Sequence, residues 1–239
     1  MSEAPTIRVT KIDRGPYPDA PDFNPKISST APLLLVTLEI RTTPNNSAGI
    51  LQRLEKSLLA ISPRFLKHEC RGPDAYHVFR SNGKTPGKTP GTNGVEPGLA
   101  IAHLIEHAVI DFQCAITGLK RCSGITAAYR GRKDRFDLMI ECPDLRVGRC
   151  SLALALSWVT GSIEGLPAGA DEKEILDAAR LVYERRGQAL TPPAAARALS
   201  WPVGRAAHAL AALRDVGYLR EADWTVNLSG IPVYRLAEA

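Results

Sequence analysis

Apolar residues come in short strand-like runs over the first forty positions and switch to helical spacing afterwards. TIRVTKI and the stronger PLLLVTLEIRT have the aliphatic and β-branched content of strands. The Pro- and Asp-rich GPYPDAPDFNP between them reads as a loop. AGILQRLEKSLLAI repeats its apolar residues at helical spacing and predicts a helix, with Asn46 or Ser47 as its N-cap. Residues 80–98 are dominated by Gly, Pro, Thr and Asn with three basic residues, a composition that cannot fill a core and predicts a mobile loop. From Leu99 to Thr117, LAIAHLIEHAVIDFQCAIT is apolar nearly all round, which marks a helix buried on most faces. After a turn at Ser123-Gly124, ITAAYRGR and RFDLMIEC predict strands and RVGRCSLALALSWVTG a helix.

The order β-β-α-α-β-β-α predicts an α+β domain with helices packed on one side of an antiparallel or mixed sheet. GSIEGLPAGA then has the composition of a linker and places a boundary near residue 168, giving domains 1–168 and 169–239. In the second, DEKEILDAARLVYERRG is an amphipathic helix ending at Gly187, and TPPAAARALS opens with Thr191 as N-cap and prolines at the first helical positions. WPVGRAAHALAALRDVGYL is a third helix, and two strands around Ser229-Gly230 follow. The pattern is that of a small winged helix, with Arg205 and His208 on the early turns of the helix that would enter a major groove.

Composition changes this picture little. The 44% hydrophobic and 23% charged content over 239 residues is that of an ordinary globular protein. The N-terminus lacks the basic-then-apolar pattern of a signal peptide, and the longest apolar run, LALALSW, is too short to span a bilayer, so a cytoplasmic protein with no membrane contact is expected. Five cysteines without a CxxC pair fit reduced thiols. Residues 171–239 hold nine basic and nine acidic residues, so the whole net charge of +5 lies on the N-terminal part. A neutral module is a weak phosphate binder, so the second domain is expected to meet either DNA or a protein partner; homodimerisation is left open.

The chemistry concentrates in one helix. His103 and His107 are four apart and point from one face, so both imidazoles can reach one ion at about 2.0–2.1 Å per bond. Glu106 lies beside them, placed to take a proton from water on Zn2+. A third ligand is expected from the sheet, and Glu141, ending the apolar strand RFDLMIE, is the candidate. His103, Glu106, His107 and Glu141 thus form an inverted His-x-x-Glu-His zinc site. Burying several ionisable groups in an apolar helix costs several kcal/mol unless a charge or an ion compensates.

Residues from about 6 to 162 resemble the N-terminal domain of cyanophycin synthetases. The resemblance is carried by LQRLEKSLLAISPRFLKHEC, GLAIAHLIEHAVIDFQCAITG and AAYRGRKDRFDLMIECPDLRVGRCSLALAL. It implies a metallopeptidase-like zinc hydrolase, in some members active on a polymer of aspartate and arginine. His103, His107 and Glu141 would be ligands, Glu106 the general base, and Arg130 or Arg132 a contact to substrate or oxyanion. His68 and Cys70 also match the family pattern; they read first as a His and a buried thiol closing a helix, and in the family's arrangement they would support the ligands from behind. These 239 residues hold neither an ATP-grasp nor a Mur-ligase-like domain, and a Gly/Pro/Lys loop is inserted before the metal helix. The expected function is therefore a zinc-dependent peptidase or amidohydrolase cleaving a peptide or isopeptide bond. The alternative is a DNA-binding transcription regulator whose metal domain is structural or sensory.

Overall fold

A computed structural model describes residues 5–42, 47–62, 97–129, 131–166, 170–221 and 231–237. Strands β1 (Thr6–Pro16), β2 (Pro32–Arg41), β3 (Gly124–Tyr129) and β4 (Arg132–Glu141) form one sheet in the order β1-β2-β4-β3. All three pairings are antiparallel. Helix α3 (Pro97–Thr117) packs on the sheet, and α2 (Ser47–Ile61) and α4 (Leu145–Glu164) pack against α3 and each other, so the molecule is α+β, as the order of elements predicts.

Strand alternation decides what each sheet residue can reach. Leu34, Val36, Leu38 and Ile40 of β2, with Phe136, Leu138 and Ile140 of β4, belong to the buried core shared with the helices. Their neighbours Leu33, Thr37, Glu39, Asp137, Met139 and Glu141 point to the other face. One end of that second face is covered by a smaller cluster of Ala20, Ile27 and Leu33, packed with Ile125 and Met139. Ala20 comes from α1 (Ala20–Phe23), a single turn inside the segment read from sequence as loop. Pro21 lies in the first turn of α1, where a missing N–H costs nothing, and Asn24 after it donates through Nδ2 to Gly124 O at 3.0 Å, tying α1 to the start of β3.

Helix α3 is the centre of the core. It is long and apolar enough to cross a membrane by length and composition, but it is buried within the fold, packed against α2, α4 and the sheet. The helix starts over β4, where a Cβ on Gly98 would stand 3.0 Å from the Phe136 ring, so glycine there permits close approach. Helix α4 starts with the Asp144 side chain accepting the Arg146 N–H at 3.0 Å and stops at Gly165, whose φ of 83° is the left-handed cap that favours glycine. The α2 and α4 helices are clasped by polar groups: Ser57 Oγ accepts from Trp158 Nε1 at 2.6 Å and lies 3.0 Å from Ser162 Oγ.

Beyond α4 come α5 (Ala170–Glu184), α6 (Pro192–Leu199), α7 (Val203–Asp215) and the antiparallel pair β5 (Leu219–Glu221) and β6 (Tyr234–Leu236). Thr191 caps α6 as expected, its side chain accepting from Ala194 N. Leu190 and Tyr234 exchange both backbone hydrogen bonds at 2.9 Å, which adds a third, one-residue rung to the small sheet. The turn at Ser229-Gly230 lies outside the described residues. Helix α5 packs on α3, and its Leu176, Ala179 and Val182 join the same core as Ile105 and Phe112. The core is thus continuous across residue 168.

Candidate metal centre

Helical spacing brings His103 and His107 together as the sequence predicts. Their Nε2 atoms are 3.1 Å apart, with ring centroids 4.5 Å apart and planes nearly perpendicular at 83°. Two nitrogens bound to one tetrahedral zinc at about 2.05 Å would stand about 3.3 Å apart, so this pair is spaced to share an ion. His107 is 3% exposed and the His103 side chain 13%, so both sit in a largely dry place where competition from water is weak.

Glu106 occupies the other side of His103. Its Oε2 lies 3.2 Å from His103 Nδ1 and accepts a short hydrogen bond from the Thr126 hydroxyl of β3. The residue is 4% exposed. Gly124, two residues before Thr126, leaves room for it, since a Cβ there would stand 2.6 Å from Glu106 Oε1. The carboxylate is therefore pressed between α3 and β3. The Glu106 carboxylate thus stands on the Nδ1 side of the His103 ring, while the nitrogen that faces His107 is Nε2.

The expected third ligand is held elsewhere. Glu141 shares the parity of Asp137 and Met139, opposite to Ile140, and its Oε2 accepts the Ser123 N–H at 2.8 Å. Helix α3 reaches its backbone instead: Gln113, 1% exposed, donates through Nε2 to Glu141 O at 3.1 Å. Among the described residues, no third His, Cys, Asp or Glu joins the histidine pair in a ready-built ligand cluster. Glu141 falls out of step with the buried Phe136, Leu138 and Ile140, a parity that Met139, apolar but on the same face as Glu141, blurs in the sequence.

Arg132 is not brought to the histidines either. Its guanidinium pairs with Asp134 at 3.1 Å and with Glu39 at 3.6 Å, and Glu39 belongs to the face turned away from α3. Arg130, His68, Cys70 and residues 80–96 lie outside the described residues.

Sequence reasoning missed Cys122, Gln113, Thr126 and Gly124. Cys122 Sγ donates to Glu141 O at 3.2 Å and lies 3.9 Å from Gln113 Nε2. Burial pushes its thiol well above the ordinary range, and the nearby Cys114, Glu141, Cys142 and Glu106 push in the same direction. Burial likewise raises the Cys142 thiol to about 11. These are neutral thiols at physiological pH, so they serve as packing and weak donors rather than as nucleophiles. A second buried carboxylate on α3, Asp111, accepts from Ser62 Oγ at 2.6 Å and continues the polar line of His103 and His107 one turn further.

On α7, the cationic groups are engaged within the protein. Arg205 pairs with Glu174 of α5 at 2.6 Å and stacks 4.5 Å over the Trp201 ring, and Arg214 pairs with Asp215 and Glu221, each at 2.8 Å. His208 is exposed. Comparison with family models, curated proteins and solved structures found no match for this chain.

Proposed function

We propose that this chain is a zinc-dependent hydrolase of peptide or isopeptide bonds, with residues 169–239 forming a winged helix that holds a partner or substrate. The observation that carries the reading is the 3.1 Å approach of two Nε2 atoms on a buried helix, one of them backed by a carboxylate. Zinc, when bound, would acidify water and polarise an amide carbonyl. His103 and His107 would hold it by Nε2. Glu141 is the third ligand implied by the resemblance, and joining the pair would require its carboxylate to leave the Ser123 N–H.

The winged-helix reading rests on the order helix, rung, helix, helix, strand, strand, in which Leu190 pairs with Tyr234. The two arginines of α7, the helix that would enter a major groove, favour a protein or peptide partner over DNA. Phosphate binding depends on unpaired Lys and Arg, whereas Arg205 and Arg214 already have carboxylate partners.

The test is hydrolysis of short peptides, including ones with a β-aspartyl isopeptide bond, by metal-stripped and zinc-restored protein. Turnover only after zinc is restored, and lost in His103→Ala and His107→Ala, supports the proposal. A folded, zinc-loaded protein inert toward the whole panel sinks the hydrolase reading and favours a regulator with a structural or sensory metal.

A further inference from the structure

The inverted motif invites the assignment of Glu106 as the base that deprotonates water. The geometry points to a different role: we infer that Glu106 is a positioning residue, fixing His103 as an Nε2 ligand by accepting its Nδ1–H. The inference rests on the zinc reading above and deepens it.

Three observations carry it. The first is that Glu106 Oε2 is 3.2 Å from Nδ1 of His103, whereas the nitrogen that approaches His107 is Nε2. These two nitrogens lie on different sides of the imidazole ring. A carboxylate on the Nδ1 side has the ring between itself and anything bound at Nε2, and a base must be within hydrogen-bond reach of the proton it removes. The second is that Glu106 is already engaged from the far side. The Thr126 hydroxyl donates to the same Oε2, and Gly124 closes on Oε1 so tightly that a methyl group there would stand 2.6 Å away. The third is burial: at 4% exposure, Glu106 has little contact with solvent water.

A metal-bound histidine characteristically donates its second N–H to a carboxylate or carbonyl, which fixes its tautomer and ring orientation and raises its basicity. Glu106 of α3 and Thr126 of β3 supply that arrangement here, with the strand orienting the carboxylate and the carboxylate orienting the ligand.

The two roles separate in zinc affinity. Glu106→Gln keeps the shape but removes the charge, and Thr126→Val removes only the hydroxyl behind it. The positioning role predicts that Glu106→Gln raises the zinc dissociation constant about 10- to 100-fold in a chelator competition. It also predicts that Thr126→Val raises it by a smaller factor, with both variants folded by circular dichroism. In imidazole nitrogen NMR, His103 of the metal-free wild type should be the Nδ1–H tautomer, and Glu106→Gln should shift that signal. An unchanged zinc dissociation constant in Glu106→Gln, together with a loss of turnover at saturating zinc, would overturn the inference and restore Glu106 as the base, leaving the zinc site intact. A folded wild type that takes up no zinc would instead overturn the parent reading.

Discussion

The His103, Glu106 and His107 cluster was legible residue by residue, because the 3.6-residue period alone puts i, i+3 and i+4 on one side of a helix. What surrounds it was not. Thr126 and Gly124 meet Glu106 only through the way α3 lies across β3, a packing relation with no local sequence signature. Gly124 is the most direct probe of that relation. Gly124→Ala places a methyl group 2.6 Å from Glu106 Oε1, and flanking backbone on a paired strand cannot withdraw easily. We expect a loss of about 1–3 kcal/mol in urea denaturation from overpacking, with weaker zinc binding as Glu106 is displaced. A variant as stable as wild type that binds zinc equally well would show that this contact constrains nothing.

At the scale of elements, strands and long helices followed from hydrophobic period, and what escaped was short or irregular. The one-turn α1 sits in Pro- and Asp-rich sequence that composition reads as loop, and the rung at Leu190 is a single residue, too short for any period to show. Helix α4 offers a pH-dependent test of its own start. Burial alone would raise the Asp144 carboxyl, but its hydrogen bonds with the Arg146 side chain and backbone N–H outweigh burial and hold it below its ordinary value of 3.8. A carboxylate depressed in the folded state adds stability above its ordinary value and loses it as pH falls toward the folded one. Asp144→Ala should therefore cost about 1 kcal/mol at pH 7, as removal of an N-cap does. The gap from wild type should narrow once the pH drops below about 4, read from urea midpoints at both pH values. A gap that stays constant to pH 3 would mean that the ion pair is not what sets it.

For the molecule as a whole, composition and packing emphasise different things at residue 168. The Gly, Pro and Ala content of GSIEGLPAGA has the character of a linker, yet α5 beyond it buries Leu176, Ala179 and Val182 in the core built around α3. Linker composition reports local chain stiffness and says nothing about which helix docks where. Because α3 is shared, the full chain should unfold in one calorimetric transition. A chain ending at residue 168 should have a lower midpoint, because truncation bares the face of α3 that α5 covers. Two resolved transitions, with the first leaving the zinc site untouched, would establish independent units instead.

Everything about function turns on whether the two facing imidazoles hold an ion. The most direct measurement is the metal content of the tag-free protein by elemental analysis, after zinc loading and gel filtration, with His103→Ala, His107→Ala and Glu141→Ala alongside. The account predicts about one zinc per wild-type chain and none in either histidine variant, with the Glu141 variant deciding whether that carboxylate leaves Ser123 to complete the site. A folded wild type without zinc, or histidine variants that keep it, would contradict the account.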